Sequence, residues 1–92
     1  MSFSKTFKLG DGRTIDDVEK EVAESVGASD EQYGASPGVK AGHAAQIKAA
    51  AAGLRIVQEG FPDLAEGNIH GHANDDGSGS FGVQYTKQQS GQ

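Results

Sequence analysis

NIHGHANDDGSGSFGVQYT, residues 68–86, holds two of the chain's three histidines, a pair of adjacent aspartates and a cluster of glycines. It admits three readings: a metal site, a phosphate-binding loop, or a β-hairpin with polar residues on its open face. Its alternation favours the hairpin. Ile69, Gly71 and Ala73 fall on one face of a strand, and Asn68, His70, His72 and Asn74 on the other. After the break, Phe81, Val83 and Tyr85 share a face, and Ser80, Gly82, Gln84 and Thr86 share its opposite. DDGSG between the runs is turn chemistry.

The competing motifs fail on context. His70 and His72, two apart on a strand, put both rings on one face, but a structural zinc takes four ligands and a catalytic one usually three. Asp75, Asp76 or His43 would have to complete the set, and His43 falls on a buried helical stripe, on the far side of the sheet. No metal is expected. NDDGSG imitates the start of a calcium loop with Asn74, Asp76 and Ser78, yet Tyr85 stands where the bidentate Glu belongs. GSGSFG, residues 77–82, fits G-x-G-x-x-G, but a strand follows it where phosphate binding requires a helix N-terminus.

Outward from the hairpin, residues 2–9 alternate, with Phe3, Lys5, Phe7 and Leu9 on one face and Ser2, Ser4, Thr6 and Lys8 on the other. This is a strand, ended by GDG at 10–12. Thr14 then caps a helix with Asp17 as its answering acid, and Ile15, Val18, Val22 and Val26 recur at helical spacing. Gly27 reads as the stop, giving about three turns. Residues 28–38 read as a loop ending in Pro37 and Gly38, with Tyr33 expected to pin it to the core. The alanine-rich segment 39–61 is the strongest helix, its stripe running from His43 through Ile47, Ala50, Leu54 and Val57 to Phe61. Gly53 in mid-helix suggests a close approach to the sheet. Residues 61–68 read as a connector, and the tail from about residue 87 as frayed.

The expected fold is α+β: a two-layer β-α-α-β-β domain spanning residues 1–92, with a three-stranded, mostly antiparallel sheet and two helices on one face. Gly71 and Ala73 would lie beneath the alanine-rich helix, and Phe3, Phe7, Phe81 and Val83 would fill the rest of the core. The order of the first strand relative to the hairpin is open.

Composition narrows function. The 92 residues carry 13 acids and 8 basic residues, a formal net charge of −5, which argues against general nucleic-acid binding and against anionic membranes. Without cysteine there is no disulfide, thiolate site or cysteine nucleophile, a composition that suits the cytosol. No apolar run is long enough to span a bilayer. The acids Asp16, Asp17, Glu19, Glu21 and Glu24 mark a solvated helix face. Neither a nucleophile with its base nor a pair of opposed carboxylates can be picked out, so neither catalysis nor a cofactor is expected.

IHGHAND, preceded by an alanine-rich helix and followed by an alternating strand, resembles a small-protein pattern found in phages of actinobacteria, in which a strand reads roughly V-x-x-S-G-H-A-N before a turn and a closing strand. The matching positions are Gly71, His72, Ala73 and Asn74. Family members often continue with Pro and a longer turn containing Trp; this chain has Asp75 and DDGSGS instead. The resemblance implies a phage source, and so a protein of the host cytosol or the virion. The expected role is a small non-catalytic interaction protein, acting on a host or phage protein through His70, His72, Asn74, Asp75, Asp76 and Gln84. A homodimer is a further expectation. The alternatives are sequestration of a nucleotide-like ligand and a capsid-associated accessory role.

Overall fold

A computed structural model describes residues 1–87. The elements run β1 (Ser2–Lys8), α1 (Ile15–Gln32), α2 (Pro37–Gly60), β2 (Leu64–Ala73) and β3 (Gly79–Lys87). Among the described residues the sheet has three antiparallel strands in the order β1-β2-β3, which places β2 at the centre. Both helices lie on one face. The tail, expected to fray, falls outside the described residues beyond Lys87.

Each element forms for a local reason. β1 alternates, and Phe7 on its inner face is 1% exposed. α1 opens with the capping box foreseen at Thr14 and Asp17: the Asp17 N–H donates to the Thr14 hydroxyl (3.2 Å), and the Thr14 N–H donates to the Asp17 carboxylate (2.8 Å). α1 does not stop at Gly27. That glycine is exposed with no neighbouring atom where a Cβ would stand, and the helix continues to Gln32. It ends where Gly34 takes a φ of +68°. The extension keeps the stripe of Val18, Val22 and Val26 going one further step to Asp30, which is buried.

α2 also starts earlier than expected. Ser36 is its N-cap, accepting from the Val39 N–H (3.2 Å), and Pro37 opens the first turn, where its missing N–H costs nothing. Leu64 to Asn68, expected as connector, belong to β2, with a register shift between Leu64 and Glu66. The hairpin turn is closed by the Asn74 N–H donating to the Ser78 carbonyl (2.7 Å) and the Gly77 N–H donating to the Asn74 carbonyl (2.9 Å).

The core lies between the layers: Phe7, Ile15, Val18, Val22, Val26, Ile47, Ala50, Ala51, Leu54, Leu64 and Ile69, with Phe3, Leu9 and Val83 packed against it. Three expectations are corrected here. Phe81 faces the helix side, as its parity requires, but is 45% exposed, because α2 packs chiefly on β2 and covers the outer strand only in part, around Val83. Tyr33 is 68% exposed and pins nothing. Gly53 has empty space around it; the close approaches of α2 are at Gly38 and Gly42. A Cβ on Gly38 would stand 1.7 Å from the Asp75 carbonyl oxygen, and one on Gly42 2.8 Å from the Ala73 Cβ. The hairpin turn is thus wedged against the start of α2.

Candidate functional site

The outer face of the sheet carries Ser2, Ser4 and Thr6 from β1, Asn68, His70 and His72 from β2, and Ser80, Gly82 and Gln84 from β3. No described helix covers it. The register sets these side chains in rows, Ser2–His72–Ser80, Ser4–His70–Gly82 and Thr6–Asn68–Gln84. One face of an antiparallel sheet left to polar residues is either solvated or a contact surface.

Hydrogen bonds across and along the strands fix the row on β2. The Asn68 amide donates to Ser4 Oγ (3.0 Å), which turns its carbonyl oxygen toward His70 Nδ1 at 3.2 Å. In the neutral ring the His70 proton therefore sits on Nδ1. Its Nε2 side leans over Gly82, where a Cβ would stand 2.8 Å from Nε2. Gly82 is what lets the imidazole lie down across the strand.

His72 is held in the opposite tautomer. Its Nδ1 faces two donors, the Ser2 hydroxyl at 3.2 Å and the Met1 amino nitrogen at 3.3 Å, so Nδ1 accepts. Nε2–H then donates to the Asn74 side-chain oxygen Oδ1 at 3.1 Å. The Asn74 amide in turn donates to Ser78 Oγ (3.2 Å). Ser2, His72 and Asn74 form a hydroxyl–imidazole–amide chain, with the Met1 amino nitrogen sharing the Nδ1 lone pair.

The two aspartates are employed elsewhere. Asp75 Oδ1 accepts from the Ser36 hydroxyl (3.0 Å) at the start of α2, on the helix side of the hairpin. Asp76 stays in the turn, where the Ser78 hydroxyl, and then the Ser78 N–H at 3.0 Å, hold its carboxyl below the ordinary carboxylate value. Of the six residues expected at the site, His70, His72, Asn74 and Gln84 thus line the outer face, and Asp75 and Asp76 brace its end. No group of three or more His, Asp or Glu among the described residues is placed to hold a metal ion.

A second polar cluster lies between the helices and the sheet. His43 is 1% exposed and Asp30 is 5% exposed. His43 Nδ1 is 3.0 and 2.9 Å from the two Asp30 carboxylate oxygens, and Nε2 is 2.9 Å from the Met1 carbonyl oxygen. The Met1 carbonyl only accepts, so Nε2 donates to it, and Nδ1 shares a proton with the Asp30 carboxyl group. The ring edge of His43 also packs on Phe3, centroids 4.9 Å apart. Beside it, the Gln46 amide donates to the His72 carbonyl (2.8 Å), while Gln46 Oε1 is buried without a partner among the described residues. This cluster ties α1, α2, β1 and β2 together under the outer face. Sequence reading found His43 on the stripe but missed Asp30, although its position four residues after Val26 was a usable signal.

The acids of α1 do form a solvated face, part of which is neutralised: Arg55 of α2 pairs with Asp16 and Glu19, and Arg13 with Glu21. No helix among the described residues is long and apolar enough to cross a membrane. No family model matches the sequence, and no similar curated protein or solved structure is found.

Proposed function

We propose that the chain is a small, non-catalytic binding protein that engages a protein partner through the outer face of its sheet. The observation that carries this reading is the preset polar array of Asn68, His70, His72 and Asn74, whose side chains are held in fixed tautomers and orientations on a face that the helices leave open. Side chains ordered before binding lose little freedom on binding, which favours recognition over mere solvation. Shallow grooves lie along this face; one of about 480 Å³ is lined by Thr6, Asn68, Gln84 and their neighbours. The resemblance of the second half to a phage family supports a phage-encoded protein acting on a host or phage protein, in the cytosol or on the particle.

A nucleotide-like ligand is the weaker reading. The N-terminus of α2, the natural anion site, is occupied by its own Ser36 cap and by Asp75, a carboxylate where a phosphate would have to sit. The test is a photo-crosslinking residue placed at Gln84 on the outer face and, separately, at Glu24 on the acidic face of α1, in the natural host. A discrete adduct with one protein from position 84 and none from position 24 supports the reading. Equal labelling from both positions, or none from 84, overturns it. Native mass spectrometry of the same preparation distinguishes the alternative, since a stoichiometric small molecule lost on His72→Ala points to a ligand site.

A further inference from the structure

We propose that a second copy of this chain docks on the outer edge of β3, joining the two sheets into one of six strands about a two-fold axis through Val83. This concerns a different surface from the outer face and does not depend on that reading.

The two edges of the sheet are treated differently by the sequence. β1 is defended. Lys5 pairs with Ile69 and so points to the helix side of an edge strand, half-buried. An inward charge on an edge strand opposes further strand addition. β3 has its one charged residue, Lys87, at its very end: residues 79–86 carry no charge at all, in a chain of net charge −5. Its helix-side row is Phe81, Val83 and Tyr85, with Phe81 45% and Tyr85 42% exposed, and Ile56 of α2, 70% exposed, is another uncovered apolar side chain on the helix side.

The hydrogen-bond register makes this edge self-complementary. Bonding alternates along an antiparallel pair. Met1 and Ala73 exchange two bonds of 2.9 Å, and the Leu9 N–H donates to the Ala65 carbonyl, so the odd residues of β2 bond to β1. The even ones bond to β3, as the Asn74–Ser78 contact shows. By alternation Ser80, Gly82, Gln84 and Thr86 are bonded to β2, while Phe81, Val83 and Tyr85 turn their N–H and C=O groups to the open edge. In an antiparallel pair centred on Val83, each Val83 faces its copy and each Phe81 faces a Tyr85. The pairing satisfies those free backbone groups and makes two cross-strand aromatic pairs on the helix side.

The contact runs the length of the strand: the nine-residue edge of β3 is about 30 Å long, with the Phe81, Val83 and Tyr85 row along it. Lys5 on the far edge stops the assembly at two, since continued growth would have to pair β1.

The experiment is molar-mass measurement by light scattering on the wild-type chain, Phe81→Lys and Tyr85→Lys, with circular dichroism to confirm that each variant is folded. Val83→Cys, which introduces a thiol into a chain without cysteine, is oxidised alongside Lys5→Cys. The expected result is twice the chain mass for wild type, the single chain mass for both lysine variants, and disulfide-linked pairs from Val83→Cys but not from Lys5→Cys. A wild-type monomer at the highest soluble concentration overturns the proposal. So does a dimer that survives both lysine variants, or one that links through position 5. Crosslinking of a foreign protein from position 84 that persists in Phe81→Lys separates the two surfaces.

Discussion

Replacing His43 by Leu removes the centre of the buried cluster while keeping most of its volume. It leaves the Asp30 carboxylate, 5% exposed, with neither of its two contacts to Nδ1, and strips the Met1 carbonyl of its bond from Nε2. Removing one partner of a buried His–Asp pair of this kind costs about 3–5 kcal/mol. Domains of this size are stable by only about 5–15 kcal/mol, so the variant loses about a fifth of its stability at the least. At about 4–8 °C per kcal/mol for a chain of this length, the thermal midpoint falls by roughly 12–40 °C. Urea unfolding followed by far-ultraviolet circular dichroism measures the loss, with an unchanged m-value showing that the two-state treatment holds. The reasoning also specifies a double-mutant cycle. Asp30→Leu alone should be strongly destabilising as well, whereas Asp30→Leu with His43→Leu should recover much of the loss, because apolar groups replace a pair that no longer has to be desolvated. A loss below about 1 kcal/mol for His43→Leu, or strict additivity of the two substitutions, would show that the pair does not hold the helices to β1.

Glycine substitutions on α2 should have opposite signs. Gly53→Ala, with open space around it, should stabilise by about 1 kcal/mol, whereas Gly42→Ala meets the Ala73 Cβ and the Gly77 carbonyl oxygen and should destabilise by about 1–3 kcal/mol; chemical denaturation of both distinguishes them. Ser36→Ala should cost about 1 kcal/mol through the lost cap of α2, and the amides of residues 74–78 should exchange faster because the hydroxyl bond to Asp75 is lost with it. The Asp17 carboxyl is held below its ordinary value of 3.8, first by the Thr14 N–H and then by the Thr14 hydroxyl. Its contribution is therefore full above that ordinary value and is lost as the pH falls through the lower folded-state value. The thermal-midpoint gap between wild type and Asp17→Asn should close on acidification across that window and stay constant at higher pH.

The fold was legible where one face of an element is buried along its whole length. Strand alternation in β1 and the hairpin, the Thr14 box and the valine stripe of α1 all report local periodicity, and local periodicity is what a sequence displays. The failures share another cause. Gly27 looked like a stop because its tolerance inside α1 depends on nothing being packed against it. Gly53 looked like a close approach and Gly38 did not, because only the position of the hairpin turn tells them apart. Phe81 was placed on the correct face, but its exposure depends on how far α2 reaches sideways across the sheet, which no residue of β3 encodes. At the candidate site, the row from Asn68 to Asn74 was visible as parity. The contribution of Ser2 to His72 and the pairing of Asp30 with His43 were not, since each joins residues far apart in the chain.

The parity of β2 bears on how this chain can change length. Every odd residue from Ala65 to Ala73 faces the helices and bonds to β1, and every even one faces outward and bonds to β3. Deleting or inserting one residue between Gly67 and Ala73 would bring His70 or His72 into the core and put Ile69 into water, while pointing each strand's bonds at the wrong neighbour. Length variation in related chains should therefore be absent from this stretch. It should gather in the turn at 10–13 and next to the register shift at Leu64 and Glu66, where the ladder already tolerates an extra residue. The hairpin turn is also a poor place for it, because any added residue there would have to pass the start of α2 at Gly38.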